Sequence, residues 1–182
     1  YAISKLNAEN VLRRVASKSS LKLIILRPPL IYGPKVKGNF AALIRAVDRG
    51  VPLPFGSINN CRSLVGLDNL IDLIILCAHH PNATGKTFLV SDGEDLSTPE
   101  LLRRLAKTRD RPSRLVSVPP VFLQYIGRIS RKSGLVDRII GSLQVDISYT
   151  QRTLDWAPPL SVDESLKRLN SNKNKSLTKM TM

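Results

Sequence analysis

Four consecutive aliphatic residues, Leu23-Ile24-Ile25-Leu26, lead directly into Arg27-Pro28-Pro29. A run without a polar position has no face to offer water, which suits a parallel strand covered on both sides. The proline pair removes two N–H donors and fixes two φ angles, so the strand ladder must stop there. In open α/β sheets, the chain leaving the C-terminal end of such a strand is where ligands sit. Helical patterns surround this strand. Residues 1–19 read as a helix with an apolar stripe of Ile3, Leu6, Val11, Leu12 and Val15. Gly38 to Arg49 reads as another helix, with Phe40, Leu43, Ile44 and Val47 apolar, followed by a rigid turn over 50–56.

Further along, Cys61 to Val65 and Lys86 to Val90 read as strands. Asp68 is placed to cap a helix over 69–77, and Thr98 to cap one that has Pro99 at its first position. An amphipathic helix is expected within 118–130, after Pro119-Pro120. A last helix starts near Ser161, and 171–182 form a polar, basic tail read as disordered. Helices alternating with strands predict an α/β fold.

Composition excludes several classes. No run of 18 apolar residues exists, so no spanning helix and no membrane partner is expected. Cys61 and Cys77 are too few for a disulfide scaffold and read as small buried hydrophobes, so a reducing cytoplasmic setting is expected. The adjacent His79 and His80 have no further ligands nearby in the sequence, so no metal site is expected. Net charge is +14, with 12 basic and 8 acidic residues over 1–100 against 16 and 6 over 101–182. That bias could serve nucleic acid, an anionic surface or a diphosphate. Aromatics are only 5% and are not interleaved with the charge, which argues against nucleic acid.

Tyr1 and Lys5 stand four apart at the start of the first helix, on one face. The lysine ammonium can stabilise a phenolate and ready Tyr1 for proton transfer. With the strand at 23–26 and Pro28-Pro29-Leu30-Ile31-Tyr32-Gly33-Pro34, this succession resembles the extended short-chain dehydrogenase/reductase family, in its nucleotide-sugar epimerase, dehydratase and ketoreductase members. The resemblance covers nearly the whole chain but only the second half of such an enzyme. It implies the C-terminal part of a Rossmann-type parallel sheet over 1–36 and a smaller α/β substrate-binding domain over 37–170 with returns to the sheet. Neither G-x-G-x-x-G nor G-x-x-G-x-x-G occurs among the ten glycines, so the pyrophosphate-cradling turn is absent from these 182 residues. The chain is therefore expected to be a fragment or a truncated gene product, poorly soluble and unable to bind cofactor alone.

The resemblance further implies roles. Tyr1 and Lys5 would be catalytic, exchanging a proton with a sugar hydroxyl while hydride moves to or from NAD (or NADP). The cofactor would also meet Pro28, Pro29 and Leu30, the last standing where many family members have Asn. The Pro-Pro-Leu form is closer to certain ketoreductases. Asn39, Phe55, Arg62 and Arg152 would bind a UDP-sugar: Arg62 and Arg152 its diphosphate, Phe55 its base. Leu154-Asp155-Trp156 resembles a Leu-Gly-Trp-x-Pro segment with Asp155 in the glycine's place. The implied activity is C4 epimerisation or C4 keto reduction, in a homodimer when intact. Two rivals stay open: a non-catalytic basic binding fragment, and a ketoreductase of non-sugar substrates, which shares the turn but does not need Arg62.

Overall fold

The computed structural model describes residues 2–129 and 133–170. The elements run α1 (Ala2–Ala16), β1 (Ile25–Arg27), β2 (Leu30–Tyr32), α2 (Gly38–Asp48), β3 (Arg62–Gly66), α3 (Leu67–His79), β4 (Thr87–Leu89), β5 (Asp95–Leu96), α4 (Thr98–Lys107), α5 (Pro120–Ile129), α6 (Ser133–Ile140), α7 (Ser148–Leu154) and α8 (Val162–Arg168). The class is α/β, and the helices and strands expected from the sequence are present. The tail at 171–182 and Tyr1 lie outside the described residues.

The proline pair does more than end a strand. β1 pairs in parallel with β4, Ile25 opposite Thr87. After Pro28-Pro29 the chain resumes as β2 and pairs in parallel with β3, Leu30 opposite Leu64. β5 closes the second sheet antiparallel to β3. Without N–H donors the prolines cannot continue one ladder, so the chain changes partner there. The sequence reading stopped at the prolines and missed β2. It also expected 23–26 to be covered on both faces, whereas only Ile25 is fully buried.

Two cores lie on opposite faces of β3. Tyr32, Phe40, Leu64, Leu102, Leu105 and Leu166 join β2, β3, α2, α4 and α8. Val65, Leu73, Phe88, Val90, Leu154 and Trp156 join α3, β4 and α7. Neighbouring residues of β3, Leu64 and Val65, point to opposite faces and so belong to different cores. Gly33 lets α3 approach closely, since a Cβ there would lie 2.6 Å from that of Leu67.

Between the cores sits Asp92. Its carboxylate accepts from the Tyr32 hydroxyl at 2.7 Å, the Gly66 N–H at 2.8 Å and the Asn69 side-chain amide at 2.7 Å. Asn69 also donates to the Leu160 carbonyl at 2.8 Å and accepts from the Leu160 N–H at 3.0 Å. The next residue, Ser161, N-caps α8 in a reciprocal capping box with Glu164. Burial and the nearby Asp92 charge push the Tyr32 phenol well above its ordinary value, so it stays a donor.

Several local expectations need correction. Ser97, not Thr98, caps α4, accepting from the Glu100 N–H; Thr98 is the first helical residue. Asp68 makes no side-chain cap. The helix enters through Gly66, and Asp68 sits in its first turn, 3.0 Å from Arg168. Cys61 is exposed, while Cys77 is buried as expected. α6 and α7 were missed; α7 is held partly by a polar contact, Thr150 Oγ1 donating to the Leu89 carbonyl at 2.6 Å, which leaves little apolar periodicity to read.

Asp155 ends α7 with φ 48°, in the left-handed region. That explains a glycine preference at this point, since only glycine enters it without a Cβ penalty. Asp155→Gly should therefore raise the unfolding free energy by about 0.5–1 kcal/mol, read from urea unfolding. Asp92→Ala strands three buried donors at about 1–3 kcal/mol each, and should cost roughly 3–5 kcal/mol. Tyr32→Phe removes one donor and leaves the rest intact, at about 1.5 kcal/mol. A smaller loss for Asp92→Ala than for Tyr32→Phe would refute the junction role.

Candidate active site

The change of sheet at Pro28-Pro29 places one short segment between two concavities. On one side lies a groove of roughly 760 Å³ formed by Ile3, Lys5, Leu6 and Glu9 of α1 with Leu26, Arg27 and Pro28. Arg27 clamps Glu9 with two bonds of 2.9 and 2.5 Å, fixing α1 across the end of β1. The same contact holds the Glu9 carboxyl below its ordinary range. On the other side lies a cavity of roughly 210 Å³, whose lining includes Leu30, Ile31, Lys37, Asn39, Arg62 and Arg138.

The second cavity is electrostatically one-sided. Its described lining holds Lys37, Arg62 and Arg138 and no carboxylate. Arg62, at the start of β3, is half-buried, and burial lowers its pKa. Its guanidinium donates to the Gly141 carbonyl at 3.1 Å and to the Arg138 carbonyl, and forms no ion pair among the described residues. A half-buried cation held by backbone carbonyls alone retains charge for an anion.

Buried Asn60 organises the same wall. Its amide donates to the Ile139 and Gly141 carbonyls, each at 3.0 Å, and its oxygen accepts from the Thr98 N–H at 2.8 Å. It thereby fixes the end of α6, and with it Arg138, against the start of α4.

The structure sorts the residues picked out from the sequence. Lys5 and Pro28 share the groove, and Leu30, Asn39 and Arg62 share the cavity. Pro29 lines neither and lies between them. Phe55 packs against the first core and Arg152 sits exposed on the last turn of α7, so neither lines the cavity. Tyr1 lies outside the described residues. Missed were Lys37, Arg138 and Asn60. Arg138 belongs to an unrecognised helix, and a buried Asn gives no pattern in a sequence. Among the described residues no cluster of His, Cys, Asp and Glu could hold a metal ion.

The profile of the NAD dependent epimerase/dehydratase family matches residues 1–91, half of the sequence. The chain belongs to that family. It is 49% identical over 169 residues to a UDP-glucose 4-epimerase of Vibrio cholerae, covering 92% of this chain and 52% of that protein. It is 25% identical over 127 residues to an N-acetyl-α-D-glucosaminyl-diphospho-ditrans,octacis-undecaprenol 4-epimerase of Escherichia coli O157:H7, covering 69% and 37%. The fold matches that of a UDP-glucose 4-epimerase from Thermotoga maritima solved with UDP-glucose, at TM-score 0.74 and 24% identity, over 97% of this chain and 54% of the other. The chain thus spans about half the length of its Vibrio cholerae relative.

If the three cations receive a diphosphate, Arg62→Ala should weaken binding of UDP by about 1.5–3 kcal/mol. Arg62→Lys should restore only part of this, because an ammonium cannot reproduce the guanidinium fork. Calorimetry showing equal affinity for all three proteins would remove Arg62 from the site.

Proposed function

We propose that this chain is the substrate-binding half of a nicotinamide-dependent C4 epimerase or C4 ketoreductase acting on a UDP-sugar. The observation that carries the reading is the cavity with Lys37, Arg62 and Arg138 and no carboxylate, set one short segment away from the Lys5 groove. A diphosphate held by the cations would leave its sugar near the Pro28–Leu30 segment. The groove suits a nicotinamide riboside: Lys5 offers an ammonium to ribose hydroxyls, and Ile3, Leu6, Leu26 and Pro28 offer an apolar wall. Once bound, NAD or NADP would accept or return hydride at the sugar C4. These residues contain no glycine-rich turn for the pyrophosphate, so 1–182 by themselves should bind the cofactor weakly.

The chain's own part in the chemistry is the proton. Tyr1 would take the C4 hydroxyl proton as hydride leaves, or give one as hydride arrives. Lys5, one helical turn on, would stabilise the phenolate between these events. Leu30 presents no amide to the sugar where many relatives of this type carry Asn, leaving orientation to Asn39 and the cations. The exposed Val11, Leu12 and Val15 of α1, outside the groove, would be covered by the rest of such an enzyme or by a second copy in a homodimer.

A second reading exchanges the nucleotide for an isoprenoid carrier, as in the name of the E. coli relative. What favours it is Phe55: packed against the first core, it does not line the cavity. Binding of UDP much tighter than that of inorganic pyrophosphate would support a nucleotide, and equal affinities would support the lipid carrier.

Tyr1→Phe tests the chemistry. In the active enzyme it should lower turnover by about 10²–10⁴-fold while leaving UDP-sugar affinity nearly unchanged, because only proton transfer is lost. A variant with near wild-type turnover would overturn the assignment.

A further inference from the structure

Among the described residues, α5 carries a strongly exposed apolar face. Val121 is 73% exposed, Phe122 62%, Tyr125 65%, Ile126 59% and Ile129 68%. At 3.6 residues per turn these five positions fall within an arc of roughly 140°. Leu123 and Gly127 occupy the opposite side and are buried. The helix is therefore sided, but its larger apolar side faces solvent. A monomeric soluble surface seldom spends three bulky aliphatics and two aromatics this way without an occupant.

Charge decides between occupants. The only charged residue of α5 is Arg128, which the helical geometry sets beside Val121 at the rim of the arc. α5 carries no acid. In a two-fold contact each face would meet itself, with Arg128 of each copy at the rim and no α5 carboxylate to pair it. An anionic bilayer satisfies both features at once. Its interfacial region accepts the aromatic and aliphatic side chains, Tyr125 keeps its hydroxyl in the polar layer, and Arg128 reaches lipid phosphates.

We propose that the α5 face is a peripheral lipid-docking surface through which the protein rests on an anionic membrane. This departs from the expectation of no membrane partner, which rested on spanning length. No helix among the described residues is long and apolar enough to cross a bilayer. α5 is ten residues long and would lie in the interface. It packs on α6, whose Arg138 and Ile139 line the cationic cavity, so docking would bring that cavity close to the lipid surface. The docking does not rest on which sugar, or which carrier, the cavity takes.

The test is flotation of the purified protein with phosphatidylcholine vesicles containing increasing phosphatidylglycerol, at low and high salt. Binding should rise with phosphatidylglycerol and fall with salt. Phe122→Glu/Tyr125→Glu, at exposed positions, should reduce partitioning by about 100-fold or more at an unchanged melting temperature. Arg128→Gln should reduce it about fivefold, as expected for one basic residue at a charged surface. Failure of the wild-type protein to float, or equal flotation of the double variant, would overturn the proposal. So would a wild-type dimer that the double variant dissociates, which would make α5 a contact between copies. UDP affinity should be the same in all of these proteins, so loss of flotation and loss of the sugar-diphosphate reading are separable.

Discussion

One buried carboxylate connects the parts of this fold that hydrophobic burial leaves separate. The two cores lie on opposite faces of β3, and aliphatic packing has no directional preference that would fix one against the other. Asp92 supplies direction. It gathers donors from β2, β3 and α3, and Asn69 passes the constraint to Leu160 and the start of α8. Because each donor is charge-assisted and out of water, the arrangement is costly to break at any point. β2 in turn emerges from the proline pair, so the position of the Pro28–Leu30 segment between groove and cavity depends on this junction.

The proline pair turns a packing problem into a binding geometry. A single long strand would have kept 23–32 in one sheet, with no cleft between partners. Switching partners leaves the ends of β1 and β2 offset and opens a concavity to each side. The same short segment then serves as a wall for both. In the proposed reaction hydride moves at the sugar C4 and a proton at its hydroxyl oxygen, and a wall shared by a groove for the cofactor and a cavity for the sugar diphosphate would suit that chemistry.

Residue types with a strong local signature were legible from the sequence. The 23–26 run, the helix from Gly38 and the Ser161 start of α8 each carry a periodicity or a cap, and each is present. Arg62, Asn39 and Leu30 were named and share a cavity. What escaped depends on contacts between distant residues. Asp92 looked like part of a turn, Ser91-Asp92-Gly93-Glu94, and nothing local distinguishes it from a solvated acid. Asn60 and Arg138 matter through partners some 80 residues apart in the chain, a separation no local pattern spans. Phe55, given a base-binding role by the family resemblance, packs partly buried against the first core and does not line the cavity.

The distribution of ion pairs makes the cavity stand out further. Arg27 is matched by Glu9, Arg109 by Asp48, Arg168 by Asp68, and Arg104 by Glu94, Glu100 and Asp163. These pairs join α1 to β1, the turn after α4 to α2, and α8 to α3. Most are exposed and contribute little stability individually, but each uses up a cation's local field. At +14 the chain has more cations than acids to match them, so some must remain without a carboxylate. Chance would scatter those over the surface, where water screens them. Three instead line one concave, mostly apolar wall, with Arg62 half-buried and Lys37 and Arg138 exposed at its edge. Asn60 and Arg62 both donate to the Gly141 carbonyl, which fixes this wall of the cavity. A multivalent anion would meet all three cations at once, which is the physical reason for proposing a diphosphate there.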